Sequence, residues 1–132
     1  MRYLLDTNIV SYLFKANPKV TQKVVELPMS ALCISAITEG ELLFGLAKRP
    51  EAKRLHLVVH ELLQRVDVLP WDSSAAKHYG IVRANMVREG KSISSLDLLI
   101  AVHALSVDAI LVTNDKAFFQ IAGLRIEDWS VL

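Results

Sequence analysis

Asp6, Glu41, Asp97 and Asp115 lie far apart in the chain, yet each stands at the end of a short apolar run or near the start of a helical one. Brought together, four carboxylates make an all-oxygen ligand set, which suits Mg²⁺ or Mn²⁺ rather than zinc. A pair of such cations can activate water and stabilise the departing oxygen in phosphodiester hydrolysis. Without cations the cluster repels itself and the pKa of some members rises. Singly, each acid has a plainer role. A first-turn or N-cap carboxylate stabilises a helix by roughly 0.3–1 kcal/mol, and Glu41 could be an exposed helix residue. Only the set argues for a site.

Other chemistries are poorly served. His56 and His60 are four apart, but Leu57-Val58-Val59 between them lacks the Glu of a zinc-protease helix. His78 and His103 stand alone. Ser94 and Ser95 lack a Gly-x-Ser-x-Gly elbow, and no Gly-rich loop could cradle a nucleotide. Asp6-Thr7-Asn8 has Asn where aspartyl-phosphate phosphatases carry a second Asp. The single Cys33 excludes an intramolecular disulfide framework and a Cys-cluster metal site, and fits a reducing cytoplasm.

To act together the acids must be positioned by common elements. Tyr3-Leu4-Leu5 is too short for a helix and reads as a buried strand ending at Asp6. Asn8 or Thr7 is expected to cap the helix carrying Ile9, Val10, Leu13 and Phe14. Asn17-Pro18 marks a turn, and Pro18 opens a second helix through Glu26. Residues 31–34 read as a second strand. Ser35 or Thr38 then caps a helix bearing Leu42, Leu43 and Leu46, and beyond Pro50 residues 51–65 keep helical spacing. Residues 66–69 alternate as a third strand. Ser73 or Ser74 opens a long helix ending near Gly90, residues 94–106 form another, and 109–112 and 124–126 read as a fourth strand and an edge strand. Strands alternating with helices predict one α/β domain over residues 1–132, with a mostly parallel sheet sandwiched by helices. Ligands of such sheets bind at the carboxyl ends of the strands. Asp6 and Asp115 follow the first and fourth strands, Glu41 lies about one turn into the helix after the second strand, and Asp97 lies in the first turn of the helix before the fourth. All four are expected on one rim.

Fifteen Lys and Arg balance fourteen Asp and Glu, a net charge of +1, so no global field attracts nucleic acid. Local patches must do so. Lys48, Arg49, Lys53 and Arg54 cluster after the second acid, and Arg83 and Arg88 on the long helix are candidate RNA contacts. Trp71 and Trp129 read as packing residues. Asp6 and Asn8 interrupt any signal-peptide core, and Asp97, His103 and Asp108 interrupt the most apolar later stretch. Neither can supply the roughly 20 uncharged residues of a membrane span. A soluble, cytoplasmic chain without membrane contact is expected.

The frames around the acids carry a resemblance. LLDTN at residues 4–8, ITEGELLFG at 37–45, SSLDLLIAVHAL at 94–105 and LVTNDKAFF at 111–119 resemble the acidic motifs of PIN-domain ribonucleases, in particular VapC-type toxins of bacterial toxin–antitoxin pairs. GLRIEDW at 123–129 is similar to the family's closing segment. The resemblance implies that Asp6, Glu41, Asp97 and Asp115 are catalytic, metal-binding carboxylates for Mg²⁺ or Mn²⁺. Glu41 rather than Glu39 matches, because the family's acid precedes a Leu and stands four residues before a small residue, here Gly45. Thr7, Asn8 and Thr113 match polar neighbours that orient the carboxylates. Some relatives have a further acid where this chain has Phe118, which leaves Asp115 as the fourth carboxylate. The implied activity is endonucleolytic cleavage of a structured RNA, with tRNA the leading candidate, inhibiting translation and growth. The implied partners are a VapB-type antitoxin that blocks the acidic site and a second copy of the chain in a homodimer. The rival readings are a non-catalytic RNA- or partner-binding domain and a housekeeping PIN nuclease in RNA processing.

Overall fold

A polar residue stands at most junctions between strand and helix, and the chain changes element there. The computed structural model describes residues 1–131; Leu132, the last residue of the expected domain, lies outside the described residues. The strands are β1 (Tyr3–Leu5), β2 (Leu32–Ser35), β3 (Asp67–Leu69), β4 (Ile110–Val112) and β5 (Ile126–Glu127). The helices are α1 (Thr7–Phe14), α2 (Pro18–Glu26), α3 (Ala36–Ala47), α4 (Lys53–Arg65), α5 (Ser73–Arg88) and α6 (Ser95–Ser106).

The strands lie in the order β3-β2-β1-β4-β5 and every pairing is parallel. The expected mostly parallel sheet is thus wholly parallel among the described residues. Its central strands are apolar throughout, as strands covered on both faces must be. Alternation along them sorts the core into two layers. Leu5, Ile34 and Val112 pack with α1 to α4, while Leu4, Cys33 and Leu111 pack with α5, α6 and Phe118. From β1 the chain builds outward to β3, then returns to the other side of β1 for β4 and β5. That reversal opens a crevice at the carboxyl ends of β1 and β4, the usual ligand position in such sheets.

Local chemistry fixes the ends of the elements. The Asn17 side chain accepts from the backbone of Lys19 and Val20, with Pro18 in the first turn of α2. The expected C-terminal glycine of α5 is present: Gly90 has φ +68, a conformation few other residues adopt without strain. Two expected caps are corrected. Asp6, not Thr7 or Asn8, caps α1, and Asp72, not Ser73 or Ser74, caps α5 through the Ala75 N–H at 3.1 Å. In both cases the acid leaving the preceding strand or loop reaches the free N–H groups first. At α3 the cap is Ser35, and the edge strand falls slightly later than expected, at Ile126–Glu127.

Candidate active site

The crevice between β1 and β4 is stitched by the Asp6 N–H, which donates to the Val112 carbonyl at 2.9 Å. Asp6 is only 3 % exposed. Its Oδ1 accepts from the Thr7 N–H at 2.8 Å and its Oδ2 from the Thr113 hydroxyl at 2.9 Å. Burial pushes the Asp6 carboxyl up to about 6; the bonds from Thr113 and Thr7 oppose the rise, and the charges of Asp97 and Glu41 add to it. Of the two acids on α3, Glu41 rather than Glu39 hydrogen-bonds Thr7, the residue next to Asp6.

Each remaining acid is held by its own element. Glu41 is half-buried on α3, and its Oε1 accepts from the Thr7 hydroxyl at 2.7 Å. The Thr7 hydroxyl also lies 3.2 Å from the buried Thr38 hydroxyl. With the Thr7 proton committed to Glu41, Thr38 is left to donate. Asp97 sits half-buried in the first turn of α6, where its N–H meets the Ser94 cap at 3.3 Å. Asp115 caps a 3₁₀ turn, Lys116–Gln120, through the Ala117 N–H at 2.9 Å. Its own N–H donates to the Thr113 hydroxyl at 3.1 Å, so Thr113 links Asp115 to Asp6.

Of the three polar neighbours, two hydrogen-bond carboxylates with their side chains and one does not. Thr7 and Thr113 each hold a carboxylate. Asn8 is corrected: it is exposed and makes no side-chain hydrogen bond to the acids among the described residues, because one step along α1 turns it away from the crevice. Sequence reading had Thr38 only as a possible cap; its spacing of three before Glu41 puts both on one helix face and could have shown its role. His103, a lone helical histidine in the sequence, is buried on α6, and its Nδ1 lies 2.7 Å from Ser35 Oγ, a partnership the sequence does not signal. Burial lowers the His103 pKa, against the opposing pull of Asp72 and a bond to the Pro70 backbone. The ring is neutral and ties α6, which carries Asp97, to the cap of α3, which carries Glu41.

Arg83 and Arg88 do not form one patch. Five residues apart on a helix, they are rotated by about 140°. Arg83 lines a groove with Lys91 and Ser95 toward α6, while Arg88 bonds Asn85 and lines another groove beside Gln120. The indole of Trp71 donates to the Leu99 carbonyl at 3.0 Å and Trp129 packs on Tyr3, so both are structural.

Among the described residues none of the four acids pairs with Lys, Arg or His, and no three of them close around a point as a finished metal cage would. The donor set nevertheless fits a hard divalent cation. Mg²⁺ keeps several waters and is commonly held by one or two carboxylates, so it needs no closed cage.

The PIN-domain family model matches residues 3–124 of the chain. The chain belongs to the PIN-domain family. It is 37% identical to the tRNA(fMet)-specific endonuclease VapC of Shigella flexneri over 131 residues, covering 98% of this chain and 99% of the relative. Its identity to the Salmonella typhimurium protein of the same description is 38% over 130 residues, covering 98% of each. Among solved structures, DNA-bound VapBC from Salmonella typhimurium matches with a TM-score of 0.90 at 38% identity, covering 98% of each chain. VapBC2 from Rickettsia felis, bound to a promoter DNA fragment, matches with a TM-score of 0.88 at 31% identity, covering 98% and 99%. At this identity and coverage the chain falls among the VapC ribonucleases of the PIN-domain family. No helix of the described residues is long and apolar enough to cross a membrane.

Proposed function

We propose that the chain is the toxin of a VapBC-type pair, an endoribonuclease that hydrolyses phosphodiester bonds in a structured RNA with the help of Mg²⁺ or Mn²⁺. The observation that carries this reading is the crevice itself: a buried Asp6 whose pKa is raised, with Glu41 and Asp97 adding to the rise and Asp115 joined to it through Thr113, none of the four paired with a basic side chain among the described residues. A bound cation would relieve the mutual repulsion that such unpaired carboxylates carry.

Asp6 and Asp97 would be the principal holders of the cation, with Asp115 completing the set through water or directly. When bound, the cation shields the phosphate oxygens and lowers the pKa of the attacking water. The chain's own residues do the rest. Thr113 and Thr7 fix the Asp6 carboxylate so that its lone pairs face the crevice. Glu41, anchored at Oε1 by Thr7, keeps Oε2 for orienting the water and taking its proton. Asp115 is aimed by its cap and by Thr113.

The substrate reading is tRNA, supported by the tRNA(fMet)-specific relatives at 37% and 38% identity. Cleavage there would stop translation and growth. A VapB-type antitoxin is the proposed inhibitor, supported by the VapBC complexes among the solved structures. An Arg or Lys of that inhibitor would pair with the carboxylates. A chain acting on a cellular RNA beside such a partner would work in the cytoplasm, and a homodimer is part of the reading.

Cleavage of initiator tRNA and of a control tRNA, with Mg²⁺, with Mn²⁺ and with chelator, tests the reading. Metal-dependent cleavage with 5′-phosphate ends is expected. Cleavage unaffected by chelator would sink the metal proposal, and no cleavage of any RNA would sink the nuclease proposal. Thermal melting with and without Mn²⁺ adds a second readout, since a genuine site is stabilised by the ion.

A further inference from the structure

Phe44 is 63 % exposed on α3, three residues beyond Glu41. It lines an open groove of about 570 Å³. Thr7 and Glu41 of the acidic crevice line this groove, and Leu96, the neighbour of Asp97, lines it too. The groove is apolar where Ile37, Phe44 and Leu96 meet, and Gly40 keeps side-chain bulk out of it. The Lys48 ammonium lies over the Phe44 ring, 4.7 Å from its centroid. Glu41, Phe44 and Lys48 thus follow one another along α3 at steps of about 4.5 and 6 Å. A carboxylate, an exposed aromatic face and a cation stand in a row leading out of the acidic crevice.

An apolar partner surface would match Ile37, Phe44 and Leu96 but would leave the ammonium facing nothing of opposite charge. A nucleotide matches both features, with a flat π-face for the ring and a phosphate for the cation. Single-stranded RNA is held in this way, by stacking bases on aromatic side chains and tracking the backbone with basic ones. We propose that Phe44 stacks a base of the RNA strand adjoining the scissile phosphate, while Lys48 pairs with a phosphate of that segment. The inference rests on the ribonuclease reading and assigns it a substrate-positioning subsite. Arg49 follows Lys48 just beyond the end of α3 and adds a second cation next to it in the chain.

The test uses short single-stranded RNAs of mixed sequence, each with 2-aminopurine at one position, titrated against the full chain carrying Asp6→Asn without divalent cation. Quenching is expected to peak at one position. Phe44→Leu, which keeps an apolar side chain, should abolish that peak and weaken binding about ten-fold, and Phe44→Trp should restore both. In the cleavage-competent chain, Phe44→Leu should raise KM by about the same factor with kcat little changed. Lys48→Gln should weaken binding several-fold and lower the salt slope by about one. Sedimentation mass and melting temperature should stay those of the parent, because Phe44 is exposed. Equal quenching by the Leu and parent chains overturns the proposal, as does loss that Trp does not rescue. A Phe44→Leu chain of altered mass also overturns it, because the groove is then covered by another copy. A parent that cleaves RNA while Phe44→Leu matches it leaves the ribonuclease reading intact; a parent that neither binds nor cleaves RNA removes both.

Discussion

The two rims of the sheet treat acids in opposite ways. At the amino ends of the strands, Asp67 pairs with Arg2 at 2.7 Å and Asp108 with Arg125 at 3.0 Å. At the carboxyl ends, Asp6, Glu41, Asp97 and Asp115 have hydroxyl and N–H donors but no basic partner among the described residues. Hydrogen bonds orient a carboxylate without cancelling its charge. The acids of the lower rim have basic partners and those of the upper rim have only uncharged donors.

The contrast is broken most directly by removing charge from the upper rim. Asp6→Asn and Asp97→Asn should each lower RNA cleavage by two or more orders of magnitude, while RNA binding without metal persists or tightens. Gel shifts paired with calorimetric Mn²⁺ titration measure both effects; near-normal cleavage by either variant would take that acid out of the site. Glu39→Gln should change cleavage little, and an effect equal to that of Glu41→Gln would show that the wrong α3 acid had been chosen.

Stability against pH sharpens the same contrast. The Asp6 carboxyl is raised from 3.8 to about 6, so the folded chain holds its proton more tightly than the unfolded chain. The associated stability is fully present below the unfolded pKa of 3.8 and is lost as pH rises through about 6. Asp6→Asn keeps a capping oxygen and removes this dependence. At pH 7.5 without metal it should be more stable than the parent, by up to about 3 kcal/mol, and the two curves should converge near pH 4. Denaturant melts at several pH values read this, and a less stable Asn variant at pH 7.5 would contradict it.

Smaller effects follow for the basic side chains and for the lower rim. Arg83→Glu should weaken RNA binding several-fold and flatten its salt dependence, and Arg88→Glu, on another face of α5, should do less. Equal losses would mean that the substrate wraps the helix. Asp67→Ala at the exposed lower rim should lower stability by less than about 1 kcal/mol and leave cleavage unchanged. A cleavage defect there would erase the distinction between the rims.

Much of the fold was legible because its signals are local. Three apolar residues followed by Asp6 can only be a strand reaching its rim, and Asn17-Pro18 or Gly90 sets a helix end by backbone chemistry alone. The order of the acids was legible from the apolar frames around them. Side-chain partnerships were not. The bond between Thr7 and Glu41 crosses 34 residues, and that between Thr113 and Asp6 crosses 107. Only the packed sheet sets such distances. The failure of Asn8 has a simple cause, since a polar pair after a strand contains one residue facing the crevice and one facing water. The separation of Arg83 from Arg88 was readable in advance from helical rotation.

The buried pairing of His103 with Ser35 also bears on how this protein can drift in sequence. Around it, Ile100, Ala101, Val102 and Ala104 offer an apolar core in which volume-conserving exchanges cost little. At position 103 no apolar residue can serve both Ser35 and Pro70, and no charged one fits the burial. An apolar exchange there takes a partner from the buried Ser35 hydroxyl, so a change at one position alters what the chain tolerates 68 residues away.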